Sequence, residues 1–302
     1  MFGVTILGNN SALPAYDRHP TSQVVTLDQF QFLVDCGEGT QMQLARYKIR
    51  RSRINHIFIS HLHGDHYFGL PGLITSIGLL GRETDLHLFA PEPLKEIIDL
   101  LLKAADTQFT YKLHFHPLSA EGILVDDEKY SVECFKVYHR IDCWGFIFKE
   151  KRKPRKIKKE AIVGHQLSAK DFEQLKMGQD VTTEAGETLL NVNATVANTP
   201  ETSYAYCADT IFNPDVAEKV KNVTMLYHET TYLKDLEERA LARFHSTTIQ
   251  AAEIAVRANA KKLLIGHFSS KYESLDLFVQ EAREIFPNTD LAIEGVTYRV
   301  LG

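Results

Sequence analysis

The sequence is poor in cysteine, and none of its four (Cys36, Cys134, Cys143, Cys207) belongs to a Cys-x-x-Cys pair. That argues against a disulfide framework or a cysteine zinc knuckle and fits a reducing, cytoplasmic setting. No run approaches the ~18–20 uninterrupted apolar residues that a membrane span needs. The stretch from Met1 to Gly8 also lacks a basic n-region and a long apolar h-region, so membrane and secreted classes are excluded. Glycine and proline are scarce, at 17 and 10 of 302 residues, too few for a long disordered tract. With no internal repeat and 44% hydrophobic residues, one or two compact domains are expected.

Net charge is small, but its distribution is uneven. From Lys149 to Lys159, eight of eleven residues are basic and one is acidic; this run carries +7, so the formal −5 overall leaves −12 for the rest. A concentrated basic segment on an acidic body points to a solvated arm, and its commonest polyanionic partner is nucleic acid.

Strand-like runs are numerous: Val4 to Leu7, Val24 to Leu27, Gln31 to Val34, His56 to Ile59, Leu86 to Phe89, Tyr130 to Val137, Gly145 to Phe148, Thr188 to Val196, Tyr204 to Tyr206, Val223 to Tyr227, Leu263 to Ile265 and Ala292 to Arg299. Helical spacing is clearest over Thr40 to Ile49, Pro93 to Ala105, Thr247 to Ala260 and Ser274 to Phe286, with Thr247 and Gln250 spaced as a capping box. The mixture predicts α/β layering, with early strands joined by short turns and later strands alternating with helices. Residues 149–183 interrupt the pattern and read as an arm, with a modest helix near Ser168 to Lys176.

The densest chemistry follows the apolar run Ile57-Phe58-Ile59, where Ser60-His61-Leu62-His63-Gly64-Asp65-His66 places three imidazoles and a carboxylate within six residues. His61 and His63 at a strand end can point to one side, while Gly64 allows a turn that brings Asp65 and His66 to a second position. Nitrogen and carboxylate donors without thiolate favour zinc, with manganese or iron as alternatives, in an open catalytic geometry. Four such ligands cannot complete two sites. Three other strand-like runs end in metal-type side chains, His139, Asp209 and His267. Each of the three, taken alone, reads as structural more readily than as a ligand, but strand ends are where layered α/β folds gather their active sites.

This H-x-H-x-D-H motif, followed by a later His, a later Asp and a last His, resembles the metallo-β-lactamase superfamily. The segments Asp35-Cys36-Gly37-Glu38-Gly39-Thr40-Gln41, Ala208-Asp209-Thr210, His228-Glu229-Thr230-Thr231, His245-Ser246-Thr247-Thr248 and His267-Phe268-Ser269-Ser270-Lys271-Tyr272 narrow the resemblance to the tRNase Z family. It implies a four-layer αββα sandwich over residues 1–302 with an inserted basic arm at 149–183. It also implies an endoribonuclease that removes the 3′ trailer from precursor tRNA and leaves a 3′-hydroxyl.

The resemblance further implies two zinc ions per chain. His61, His63 and His139 would hold one, Asp65, His66 and His267 the other, and Asp209 would bridge them. Two cations lower the pKa of a water nucleophile and stabilise both attacking and leaving oxygens. Asp65 would orient that water, His245 would protonate the departing 3′ oxygen, and Glu229 would hold His245 and raise its pKa. Asp35 suits a carboxylate behind a ligating histidine. The arm would grip the tRNA elbow, and a homodimer is implied, because in this family one subunit's arm serves another's site. At Pro14 to His19 the family often has P-x-K-x-R-N; here Tyr16 and His19 replace Lys and Asn, in a loop that governs treatment of CCA-ending tRNA.

Histidines 19, 56, 87, 114, 116, 165 and 228 read as structural, and Cys36 and Cys207 as buried apolar residues. Two other readings compete. A binuclear phosphodiesterase or arylsulfatase-like hydrolase acting on small substrates would share every ligand but has no use for the basic arm. A non-catalytic nucleic-acid-binding member is disfavoured because all seven ligand positions carry competent donors.

Overall fold

The computed structural model describes residues 1–151, 154–183, 185–198 and 201–301. Two seven-stranded sheets face each other. The first runs Thr297–Arg299, Phe2–Gly8, Ser22–Leu27, Phe30–Cys36, Ile54–Phe58, Leu86–Ala90, Leu113–Pro117 in spatial order. The second runs Thr289–Leu291, Lys262–Gly266, Met225–Glu229, Ser203–Cys207, Cys143–Glu150, Tyr130–Val137, Gly122–Asp126.

Each sheet begins with antiparallel hairpins and passes to parallel strands. The progression expected once along the chain therefore occurs twice, once in each half. Parallel pairing needs crossovers, and helices supply them on the outer faces. Leu70–Leu79 and Pro93–Ala104 bury Leu73, Ile74, Ile77, Leu94 and Ile98 against the first sheet. Thr248–Arg257 and Asp276–Ile285 bury Ile254, Phe278 and Ala282 against the second. The capping box at Thr247 and Gln250 starts the first of these two helices. Between the sheets lies an aromatic core that includes Phe32, Phe58, Phe146, Phe148, Tyr204 and Tyr206. The architecture is the αββα sandwich.

Three expectations need correction. Thr188 to Val196 is not one strand: Thr188–Leu189 ends in a helical turn at Asn191–Ala194 before Thr195–Val196. Asn191 causes the break, because its side-chain amide donates to the Leu175 and Gln179 carbonyls. Ala292 to Arg299 is a strand only over Thr297–Arg299, and a separate strand, Thr289–Leu291, precedes it. Thr289–Leu291 joins the second sheet and Thr297–Arg299 the first, with Gly295 at φ 80° turning the chain between them.

The arm also differs from 149–183. Lys149 and Glu150 close the strand Cys143–Glu150, and the chain returns to the sheet only at Ser203, because Thr195 and Val196 pair back on Ile157 and Lys156. Leu175, Val181, Leu189 and Ala194 form its own small core. Arg152 and Lys153 of the basic run lie outside the described residues. Of the others, Lys149 pairs with Glu133 (2.6 Å) and Lys151 with Asp126 (2.7 Å), while Lys156, Lys158 and Lys159 face no carboxylate among the described residues.

Candidate metal centre

Strand ends deliver the histidines and aspartates to one edge of the sandwich. His61 and His63 follow the strand Ile54–Phe58, His139 follows Tyr130–Val137, Asp209 follows Ser203–Cys207, and His267 follows Lys262–Gly266. The backbone is held in unusual conformations here: Asp35 and His267 have φ of 53° and 62°, values non-glycine residues adopt only when their surroundings enforce them. A Cβ on Gly37 would come within 2.4 Å of the Asp65 carbonyl oxygen, so that glycine lets the loop after Phe30–Cys36 pass beneath the motif.

The donors form two adjoining clusters. In the first, His61 Nε2 and His139 Nε2 lie 3.0 and 3.1 Å from His63 Nδ1, and Asp209 Oδ2 is 3.6 Å from His61 Nε2. In the second, His66 Nε2 and His267 Nε2 are 3.3 Å apart, each about 3.5 Å from Asp65 Oδ2. Asp209 Oδ1 is 3.5 and 3.2 Å from those two nitrogens. Ligands ~2.0–2.1 Å from a tetrahedral zinc are ~3.3–3.4 Å from one another, which matches this spacing. Asp209 thus turns one oxygen to each cluster, and Oδ1 is buried without a hydrogen-bond partner among the described residues. A buried carboxylate oxygen left that way is costly unless a cation meets it.

Surrounding groups orient the imidazoles. His66 donates from Nδ1 to Asp35 Oδ2 (2.7 Å), His139 from Nδ1 to the Phe244 carbonyl (2.8 Å), His267 Nδ1 faces Thr231 Oγ1 (2.9 Å) and His61 Nδ1 faces Ser60 Oγ (3.0 Å). Each arrangement leaves Nε2 as the free donor, the second contact that metal-binding histidines use. Asp35 also accepts from Ser60 N, Ser60 Oγ and the Tyr206 hydroxyl.

Electrostatics favour positive charge in the centre. Burial pushes the His61 and His139 pKa values down, so both are neutral. Burial also opposes a charge on His66, yet Asp209, Asp35 and Asp65 outweigh it and hold that pKa well above the ordinary value. Asp65 itself is held well below the carboxylate range, since His66 and His267 overcome the burial that would raise it. The centre pulls in a proton where a cation fits.

Beside the clusters, Glu229 is fully buried. Its Oε1 accepts from His245 Nδ1 (2.9 Å), Ser246 N and Thr210 N; its Oε2 accepts from Thr231 N and Oγ1. Burial lowers the His245 pKa, but the Glu229 carboxylate more than offsets it, giving about 9. His245, Asp65, Asp209 and His63 line an open cavity of about 400 Å³, whose other walls include Leu13, Pro14, Phe68 and Arg140.

All the residues singled out for chemistry therefore meet at one place. The sequence reading missed Ser60, Tyr206 and Thr231, which orient the ligands, and Phe68 and Arg140 at the cavity. Ser60 and Arg140 adjoin His61 and His139 in sequence, and Thr231 closes the segment His228-Glu229-Thr230-Thr231; Tyr206 carries no local signal. Tyr16 does not line the cavity but lies under Arg18. Of the histidines expected to be structural, His228 is buried with Nδ1 2.7 Å from the Glu229 carbonyl and His19 Nδ1 is 3.0 Å from Glu294 Oε2.

Fold and donor set define a protein of the metallo-β-lactamase fold whose clustered histidines and aspartates suit a metal. The family model of anti-Pycsar protein Apyc1 matches residues 2–152, the first half of the chain. Ribonuclease Z of Bacteroides thetaiotaomicron is 43% identical over 98% of this chain and 94% of its own, and that of Bacteroides fragilis strain YCH46 is 41% identical over 98% of both. Human tRNase Z, short form, superposes with a TM-score of 0.72 over 99% of both chains at 24% identity, a likeness of fold. With similarity running through both sheets and the inserted arm, the chain belongs to the ribonuclease Z family.

Proposed function

We propose that this protein is a zinc-dependent endoribonuclease that removes the 3′ trailer from precursor tRNA, leaving a 3′-hydroxyl. The observation that carries the reading is Asp209, one carboxylate addressing two histidine clusters with a buried, unpartnered oxygen. We assign His61, His63 and His139 to one zinc, Asp65, His66 and His267 to a second, and Asp209 to both; manganese or iron suits the same donors.

These residues would hold metal that, when bound, would lower the pKa of a water and stabilise the attacking and leaving oxygens of an in-line displacement. Asp65, held in place by the Ala12 backbone N–H (2.7 Å) and ionised, orients the attacking water. His245 is protonated at neutral pH through Glu229 and presents Nε2 to the cavity, where it protonates the departing 3′ oxygen. Arg140 offers a cation to the phosphate on the same wall.

The 1–302 domain carries its arm, on this reading, as a tRNA-binding element. Strand Cys143–Glu150 starts beside the metal centre and ends at the arm, eight residues and so about 25 Å away. An arm rooted at the opposite end from its own site supports a long substrate and a homodimer in which each arm serves the partner. Among the described residues no helix is long and apolar enough to cross a membrane, and all four cysteines are free thiols, which supports the cytoplasm.

The test is cleavage of an end-labelled precursor tRNA, with and without chelator, mapped to the nucleotide. A single metal-dependent cut just after the discriminator base is expected. No cut, while the same preparation hydrolyses bis-p-nitrophenyl phosphate, would overturn the tRNA assignment and leave a small-substrate phosphodiesterase.

A further inference from the structure

A second cationic segment stands apart from the arm. Residues 46–53, Arg-Tyr-Lys-Ile-Arg-Arg-Ser-Arg, hold five cations and no carboxylate. None of Arg46, Lys48, Arg50, Arg51 or Arg53 lies within ion-pair distance of a carboxylate among the described residues. On a body that carries −12 outside the arm's basic run, five unpaired cations in eight residues are not an average surface. Arg50 and Arg51 flank a cavity of about 470 Å³ whose apolar wall is Ile49, Ile77 and Leu80. Arg82 lines it too, but its guanidinium is spent on the Ile54, Thr84 and Asp85 carbonyls and Asn55. The neighbouring Asp85 is bound to His114 (2.7 Å) and does not line the cavity.

The segment's place in the fold gives it meaning. It leads into the start of strand Ile54–Phe58, the end away from the metal centre. Ile54 pairs with Gln31; the adjacent Phe30 packs on Tyr130 across the sandwich (4.8 Å); Tyr130 pairs with Glu150, the last residue before the arm. Both cationic regions therefore occupy the same end of the molecule, one on each sheet.

Resting on the ribonuclease reading above, we infer that residues 46–53 and the adjoining cavity form a second binding surface for the RNA sugar-phosphate backbone, continuing the cationic track of the arm. Phosphates would lie along Arg50, Arg51 and Arg53, with an unstacked nucleotide against Ile49, Ile77 and Leu80. Charge complementarity favours RNA over a protein partner: a protein docking on the apolar wall alone has no use for five unpaired cations.

The test is a triple variant, Arg50→Gln, Arg51→Gln and Arg53→Gln, of the metal-loaded enzyme, titrated with a labelled mature tRNA over a salt series. Each lost phosphate contact removes ~0.7–0.9 from the slope of log affinity against log salt, so the slope should fall by about 2. Affinity at 150 mM salt should drop roughly 10-fold or more. Turnover of bis-p-nitrophenyl phosphate and the thermal midpoint should stay at wild-type values, as these side chains are remote from the metal centre. Unchanged slope and affinity would overturn the inference, as would a change of oligomeric state by sedimentation with tRNA binding intact. If the wild-type enzyme does not cleave precursor tRNA, the ribonuclease reading fails; if it does and the variant binds like wild type, only this surface fails.

Discussion

The candidate metal centre takes its groups from positions 35 to 267, most of them at strand ends whose place is set by the register of two sheets, with Asp65 and His66 on the helical turn Gly64–Tyr67 and His245 between two helices. The arm between Glu150 and Ser203 instead closes on itself: two two-residue pairings, Lys156–Ile157 with Thr195–Val196 and Val181–Thr182 with Thr188–Leu189, one eight-residue helix and a core of four buried apolar side chains. The centre buries His61, His66, Asp209 and His267 and hydrogen-bonds its imidazoles to neighbouring groups, whereas Lys156 and Lys159 of the arm are exposed. Chemistry and substrate capture should therefore separate on mutation, and the sharpest experiments are those that damage one and spare the other.

Asp209→Asn should have the largest effect. It weakens a carboxylate shared by both clusters, so cleavage of precursor tRNA and of bis-p-nitrophenyl phosphate should fall together by about 10³-fold or more, with metal content per chain reduced on elemental analysis. A loss confined to tRNA would contradict the bridging role.

His245→Ala should slow tRNA cleavage by ~10²–10⁴-fold while metal content per chain stays at the wild-type value. Metal loss in this variant would make His245 a ligand rather than the acid. Glu229→Gln gives a test of sign. Activity requires the protonated imidazole, so with a folded value of about 9 the rate should decline as pH rises through that region. Removing the carboxylate that raises His245 should move this alkaline limb down by about 1–2 units. A profile that does not move would show that Glu229 does not set the acid.

Asp35→Asn should act more mildly, weakening metal affinity by ~10–100-fold, read by chelator competition, because His66 keeps its place but loses its charged partner. This residue shows how much could be read before the structure. The His61–His66 loop is legible because its ligands are local, and His139, Asp209 and His267 are legible because each closes an apolar run. That Asp35 serves His66 could be suspected, and Ser60 adjoins His61 in sequence; that Tyr206 shares Asp35 could not, since that contact depends on a register linking residues 171 positions apart. For the same reason the order of strands was out of reach. Edge strand Gly122–Asp126 is hard to read because its residues do not alternate cleanly, and the helix Leu70–Leu79 because it is apolar on most sides; Leu113–Pro117 does alternate, Leu-His-Phe-His, and its signal was there to find.

The smallest effect is expected in the arm, and the structure changes how it should be tested. Deleting Lys149 to Lys159 would remove the end of a core strand and two body ion pairs, Lys149 with Glu133 and Lys151 with Asp126, so any loss would mix folding with binding. Neutralising Lys156, Lys158 and Lys159 to Gln leaves those intact. The KM for precursor tRNA should rise by about 10-fold at 150 mM salt and by less at higher salt, where counterion release contributes less to binding. Turnover of the small phosphodiester, and kcat on saturating tRNA, should not change. Equal losses on both substrates would mean that the arm supports the centre rather than holding RNA, and the separation of chemistry from capture would not stand.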